Sequence, residues 1–363
     1  MFFLNILKIK NMELNNIIFS LFLIFFGYFF IKYLLLIFKK SKTNLLIDNQ
    51  FQKPQAFHEN STYRLGGLLL FSLLALVFLY SYFSRNIFFF EYFSFCTLFF
   101  LLGLVDDWKI NVAPKFRLLI MIALLITLII FNETYIKRTG LEFLNNLVAI
   151  DIFSLMFMCL CFLFIINGSN LIDGFNGLLS IHALIIFVVL FIVNLINENN
   201  DLVYILFYLS LLTLIFLKFN FPKAQIFLGD SGAYVIGILI SISVIKTHNL
   251  TSSISPFFYC ILLFYLFFEV FFSFFRKLFV VRQSVLLPDN KHLHMLLYKL
   301  LFKKNNTRLN SNYAVSIYIN LIYLALIIPG IIFMNDGLFC RLYFFLLLIV
   351  YVYFYKVLYE KVK

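Results

Sequence analysis

Charge is what this chain has least of: 13% of its 363 residues are Asp, Glu, Lys or Arg, and only 17 are acidic. With 63% apolar residues and a mean hydropathy of +0.98, a soluble domain could not keep its surface in water, so that class is excluded. The cysteines, Cys96, Cys159, Cys161, Cys260 and Cys340, form no CxxC pair and have no histidine at ligand spacing. They read as small apolar packing residues, not as a disulfide framework or a thiolate metal site. No internal repeat is visible, and the longest polar stretch, roughly 276–312, is too short for a core of its own. Residues 1–363 are therefore expected to form a single polytopic membrane domain.

What the chain has in abundance is apolar segments of membrane length. A bilayer core of about 30 Å needs roughly 20 residues of helix. Such runs fall near 15–38, 66–83, 87–105, 117–132, 147–166, 178–197, 202–218, 232–246, 255–275, 313–333 and 338–357, with 202–218 the weakest. They predict an all-α integral membrane protein with about 10–11 transmembrane helices, since no segment alternates as a barrel strand would. No signal-cleavage pattern is evident, so the first span is expected to stay as an anchor. Assigning loops to alternate sides puts 21 Lys and Arg on one side and 7 on the other, with Lys32 inside the first span. The rich side is predicted to be cytoplasmic. Lys8 and Lys10 fall on the poor side, and a start at Met12 would remove them. The net charge of +12 is thus largely topogenic; it calls for no nucleic acid and suits anionic lipid and phosphate-bearing substrates.

The unusual polar residues collect on the rich side, in KPQAFHENSTYRLGG (53–67), DDWKINVAPKFR (106–117), NGSNLIDGFNGL (167–178), FLGDSGAYVIG (227–237) and RQSVLLPDNKHLHMLLYK (282–299). Asp106 and Asp107 are helix neighbours about 100° apart, so two jobs are implied, such as one carboxylate on a phosphate or metal and one holding a basic partner. The plainer reading is a solvated interfacial pair. Asn167, Asn170 and Asp173 recur every three residues and share a face if helical, while Gly174 and Gly177 leave room for a ligand against backbone. A helix cap would explain one or two of these residues and not the set. Asp230 sits at a helix start, where backbone N–H groups favour phosphate oxygens and a carboxylate can hold their counter-cation, with a Ser231 cap as the simpler account. His292 and His294 lack further ligands for zinc, so phosphate contact or acid–base work is favoured over metal binding, with simple solvation as the alternative. Glu269, inside FLFFEVFFSFFRK and on the same helical face as Arg276, is a functional candidate by depth alone, with snorkelling to the interface as the plainer account.

In this order the five motifs resemble the polyprenyl-phosphate sugar-1-phosphate transferases of glycosyltransferase family 4. The matches are Lys53, His58, Arg64, Gly66 and Gly67; Gly103, Asp106 and Asp107 with the following PKFR; Asn167 to Leu178; Phe227 to Gly232; and Pro288 to His294. The resemblance implies transfer of a sugar 1-phosphate, N-acetylhexosamine 1-phosphate foremost, from a UDP-sugar to undecaprenyl or another polyprenyl phosphate, releasing UMP and starting a cell-envelope glycan. It further implies Mg²⁺, or Mn²⁺ in its place, on Asp230 and Asp106. Asp106, Asp107, Asp173, His292 and His294 would form the catalytic set. Lys53, His58, Arg64, Lys115, Asn167, Asn170, Gly174, Asn176, Phe227 and Glu269 would bind substrate. A cleft open to the cytoplasm and sideways to lipid, in the inner (plasma) membrane, is expected.

Arg64 before the paired glycines, and HLH in place of three histidines, look more like the enzymes that begin O-antigen, teichoic-acid or capsule chains than the peptidoglycan branch, phospho-N-acetylmuramoyl-pentapeptide transferase, which stays the alternative. Asn176 replaces the second aspartate that many members carry, and STYRLGG departs from their Pro-rich form. A cation-coupled transporter is the competing class, but its carboxylates would lie near the midplane within inverted repeats. A homodimer is left open by the sequence.

Overall fold

A computed structural model describes residues 14–41, 46–48, 61–108, 110, 112–281, 289–305 and 307–363. Lys8, Lys10, Met12, Lys53, His58, Lys109, Arg282 and Pro288 lie outside the described residues. The chain is an all-α bundle with one short hairpin. In order it runs α1 (Leu14–Ser41), β1 (Ile47–Asp48), β2 (Thr62–Tyr63), α2 (Gly66–Arg85), α3 (Phe90–Asp107), α4 (Pro114–Asn132), α5 (Glu142–Val148), α6 (Asp151–Ile172), α7 (Leu178–Ile196) and α8 (Asn200–Asn220). It continues with α9 (Gly229–Leu250), α10 (Pro256–Leu262), α11 (Phe264–Phe275), a π-helical turn (Arg276–Val281), α12 (Leu293–Asn305), α13 (Arg308–Ile332) and α14 (Gly337–Val362).

Each of the eleven apolar runs is met by helix. Among the described residues nine helices are long and apolar enough to cross a bilayer unaided, from α1 to α14. The run at 202–218, the weakest in sequence, is a full helix of 21 residues, α8. The run at 255–275 is not one rod: α10 and the helix after it meet at a 74° bend next to Leu263. The eleventh, α3, has 18 residues and includes Glu91, Asp106 and Asp107 among them, which keeps it out of the composition-based count.

Burial separates the centre from the rim. In α9, 83% of the core window is enclosed, against 22% in α1 and α4 and 17% in α14. The outer helices show large side chains such as Phe25, Phe116 and Ile349 to the surroundings, a face that suits lipid and not water. Cys96, Cys159 and Cys340 are buried and all five thiols are free; Cys260 is exposed, on the bundle's outer face. Local signals set the helix ends. Pro114 and Pro256 stand in the first turns of α4 and α10, where a missing N–H costs nothing. Asp336 caps α14 by accepting from Leu338 N and Phe339 N.

At one end of the bundle three segments are laced together through backbone. The β1–β2 hairpin pairs Ile47 with Tyr63, and Tyr63 O accepts from Phe227 N at 2.8 Å. Gly66 N and Gly67 N then donate to Phe227 O and Leu228 O, both at 2.9 Å. This contact explains the motif glycines. A Cβ on Gly67 would lie 2.7 Å from Gly232 N, and one on Gly103 would lie 2.4 Å from Ser231 Cα and 2.5 Å from its N. The starts of α2 and α9 and the end of α3 are thus in backbone contact, which no larger residue permits.

Gly103→Ala should therefore destabilise the fold by about 1–3 kcal/mol, the usual cost of overpacking. Gly174→Ala, whose Cβ would meet nothing within 4 Å, should unfold with wild-type stability. Thermal unfolding of the two variants in detergent checks this, and equal midpoints would contradict it.

Candidate active site

A cavity of about 1120 Å³ opens at this end, between Arg64 before α2, helices α4 and α6, the start of α9, α11 and the segment before α12. Its polar lining includes Arg64, Asn167, Asn170, Asp173, Asp230 and His292. The apolar wall includes Met121 of α4, Leu160, Leu163 and Phe164 of α6, and Phe271 and Phe274 of α11. Leu160 precedes Asn167 by about two helical turns, so the apolar wall runs toward the middle of the bundle.

The polar cluster of 167–178 is built by an apolar helix that does not stop where its hydrophobicity does. α6 continues through Asn167 and Asn170 to Ile172, so both amides reach the cavity from its last turns. Asn167 Nδ2 donates to Leu163 O at 2.7 Å. Asp173 ends the helix, Gly174 lies open, and Gly177 turns the chain into α7 with φ +79°, a left-handed angle that favours glycine. Asn220 Oδ1 accepts from Gly177 N at 2.6 Å, and Asn176 Nδ2 donates to Pro222 O at 2.9 Å. Asn176 thus lines the cavity with its amide nitrogen tied to the turn after α8.

Asp106 and Asp107 do have two jobs, and neither side chain lines the cavity. Asp107 is fully buried. Its Oδ1 accepts from Asp230 N at 2.9 Å and its Oδ2 from Ser231 N at 3.0 Å and Ser231 Oγ at 2.6 Å. A carboxylate from α3 therefore caps α9 in place of a local Ser231 cap, where the helix dipole also favours negative charge. Arg64 Nη1 lies 3.6 Å from the same carboxylate, and Arg64 Nη2 pairs with Asp48 at 2.8 Å. Asp106 holds the basic partner: its Oδ2 accepts from Arg117 at 3.3 Å and from Tyr234 at 3.4 Å.

Three other residues expected at the site stand off the cavity lining. Lys115 is exposed and does not line the cavity; Arg117 does, because Pro114 starts α4 and the third residue on faces inward. Glu269 is buried and away from the lining, its carboxylate taken by His292, Leu293 N and Tyr351, while Arg276 pairs with Asp289 instead. His294 is fully buried outside the lining, with Nδ1 3.1 Å from Tyr265 Oη, and burial pushes its pKa down to about 3. Arg64, Phe227 and His292 do line the cavity. Arg117, Tyr234, Asn220 and Lys277 went unread; the Pro114 helix start was the signal for Arg117, and the others had none.

Asp173 and Asp230 are the carboxylates left for a ligand. Both are half-buried on the cavity wall, and neither side chain has a hydrogen bond or ion pair among the described residues. Burial, with Asp230 and Asp107 close by, holds the Asp173 carboxyl well above the usual carboxylate range, and Arg64 only partly offsets it. No three His, Cys, Asp or Glu side chains among the described residues gather to hold a metal by themselves. Two unpartnered carboxylates still fit a divalent cation of the Mg²⁺ kind, whose other ligands would be substrate phosphates and water.

The sequence model described as Glycosyl transferase family 4 matches residues 89–248, from the start of α3 nearly to the end of α9. Over that segment the chain is similar to glycosyl transferase family 4. It is 28% identical over 204 residues to an undecaprenyl-phosphate alpha-N-acetylglucosaminyl 1-phosphate transferase of Thermotoga maritima, covering 56% of this chain and 60% of that one. It is also 28% identical over 238 residues to a phospho-N-acetylmuramoyl-pentapeptide-transferase of Dictyoglomus turgidum, covering 64% and 75%. A decaprenyl-phosphate N-acetylglucosaminephosphotransferase of Mycolicibacterium smegmatis is 32% identical over 152 residues, covering 38% and 36%. The chain thus spans less than two thirds of the length of two of these three relatives. The family match holds Asp107, Asp173 and Asp230 and leaves out Arg64 and His292.

Two outcomes are expected of these carboxylates. Asp107→Ala strips the cap from α9 and should cost about 2 kcal/mol of stability or more, read as a lowered unfolding midpoint. Asp173 behaves oppositely. Its folded-state pKa lies above its unfolded value, so its site favours the neutral form, and that stabilisation, present at low pH, is lost as pH rises through the folded pKa. Asp173→Asn should then raise the melting temperature of cation-free protein at pH 7 and less so at pH 5. A lowered temperature at pH 7 in EDTA would contradict this.

Proposed function

We propose that this protein transfers a sugar 1-phosphate from a UDP-linked amino sugar to a polyprenyl phosphate, in keeping with the activities its relatives are named for. The observation that carries this reading is one cavity that joins an unpartnered carboxylate pair and cationic side chains to an apolar wall. A nucleotide sugar needs the first, and an isoprenoid phosphate needs both. In this reading the lipid phosphate oxygen attacks the sugar-bearing phosphorus directly. The P–O bond to UMP breaks, its electrons leave with UMP, and a diphosphate-linked lipid remains.

Two anions must approach for this to happen, so the catalytic task is positioning and charge neutralisation. Arg64, Arg117, Lys277 and His292, all on the cavity wall, would offset phosphate charge. Asn167 and Asn170 offer amides for a base or ribose edge, and open Gly174 lets a ligand meet backbone. Asp173 and Asp230 would hold Mg²⁺, which when bound supplies positive charge to the phosphate oxygens. The excess of Lys and Arg at the loops of the cavity end supports a cytoplasmic position for that end in a plasma-membrane enzyme.

The peptidoglycan-type donor is the second reading, on the strength of the Dictyoglomus relative. One assay separates the two: detergent-purified protein, undecaprenyl phosphate and Mg²⁺, with UDP-N-acetylglucosamine or UDP-N-acetylmuramoyl-pentapeptide as donor. UMP release is expected from the first donor, abolished by EDTA and lowered about 100-fold or more by Asp230→Asn. Release from the second donor alone would move the protein to the peptidoglycan branch. Release from neither, in protein that unfolds cooperatively, would refute the transferase reading.

A further inference from the structure

Among the described residues His292 is the one histidine on the cavity wall, and its ring is held from behind by a fully enclosed carboxylate. Glu269 Oε1 lies 3.0 Å from His292 Nδ1 and accepts from Leu293 N at 3.1 Å; Glu269 Oε2 accepts from Tyr351 Oη at 2.6 Å. With both oxygens serving as acceptors, the bond to His292 can only run from Nδ1–H to Oε1. The Nε2 edge has no partner among the described residues, and it is the edge left for the cavity. The ring lies parallel to that of His294, at 5.5 Å and 3°, so rotation about its axis is also hindered.

The last helix completes the clamp. Tyr351 of α14 reaches Glu269, and four residues on, Tyr355 Oη donates to Lys291 O at 3.0 Å, next to His292. α14 lies outside residues 89–248, so this part of the site is built by chain that the family match does not include. The charged groups that act on the imidazole are Glu269 and Asp289, the latter paired with Arg276; Lys277 shares the cavity wall.

The geometry points to Glu269 as a positioning residue that, braced by Tyr351, fixes His292 in its Nδ1–H form and presents Nε2 to a phosphate oxygen of the substrates. The inference rests on the transferase reading for the identity of that oxygen, while the clamp on the ring stands apart from it. Such carboxylate–histidine pairs elsewhere set tautomer and orientation, and losing the carboxylate typically costs about 10–100-fold.

The test has two arms. In the first, [¹⁵N]histidine spectra of wild-type protein in detergent should contain one Nδ1–H imidazole that His292→Asn deletes and Glu269→Gln shifts. In the second, Glu269→Gln should lower kcat for UMP release about 10–100-fold with KM for the sugar nucleotide within about twofold, and Tyr351→Phe should do the same more weakly. The double variant Glu269→Gln/His292→Asn should be no slower than His292→Asn alone, because Glu269 acts through the histidine. Multiplying losses in the double variant, or a His292 signal that is Nε2–H in the wild type, would overturn the inference. If no donor gives UMP, the transferase reading falls and the spectra still decide the clamp. Tyr351→Phe serves the same end in both arms should Glu269→Gln fail to fold.

Discussion

A single buried carboxylate connects the two halves of the site. Asp107, at the end of α3, satisfies the free N–H groups that open α9, and Arg64 from the hairpin side lies against the same group. An uncompensated charge at such depth would be costly, and the helix start, the hydroxyl of Ser231 and the guanidinium together offset it. Once they are, Asp230 is delivered to the cavity wall in the first turn of α9, facing Asp173 at the end of α6. The motif glycines follow from the same constraint. Gly67 and Gly103 let α2 and α3 approach α9 closely enough for the cap to form.

The site is thus less stable than it could be where it matters. Asp173 and Asp230 are kept close together and without protein partners, an arrangement that favours a neutral carboxyl until a cation arrives. The neighbouring cations are already engaged: Arg117 by Asp106, Arg64 by Asp48. They are held at fixed places on the wall before substrate enters, which is the form of preorganisation that phosphoryl transfer rewards.

The bundle was legible in the sequence because a bilayer demands about 20 apolar residues per crossing and leaves a plain periodic mark. Helix ends were less so. α6 carries Asn167 and Asn170 within its last turns, since its backbone hydrogen bonds continue past the point where hydropathy falls. The 74° break next to Leu263 has no proline or glycine at the join to announce it. Of the site, Arg64, Asn167, Asn170, Asp173, Gly174, Asn176, Phe227, Asp230 and His292 were readable as polar residues grouped at one set of helix ends, and all line the cavity. The direction of Asp107, Glu269 and His294 was not readable, because it depends on which helix packs behind each. Lys115 was taken over Arg117 for want of the helix register that Pro114 sets.

The account depends on Asp107 staying a cap while Asp173 and Asp230 meet the ligand. A structure of the protein with Mg²⁺ and an unreactive UDP-sugar analogue tests that directly. Density for one cation bridging Asp173, Asp230 and diphosphate oxygens, with Asp107 still bonded to Asp230 N and Ser231, is the predicted result. A cation on Asp107, with the start of α9 uncapped, would contradict the account.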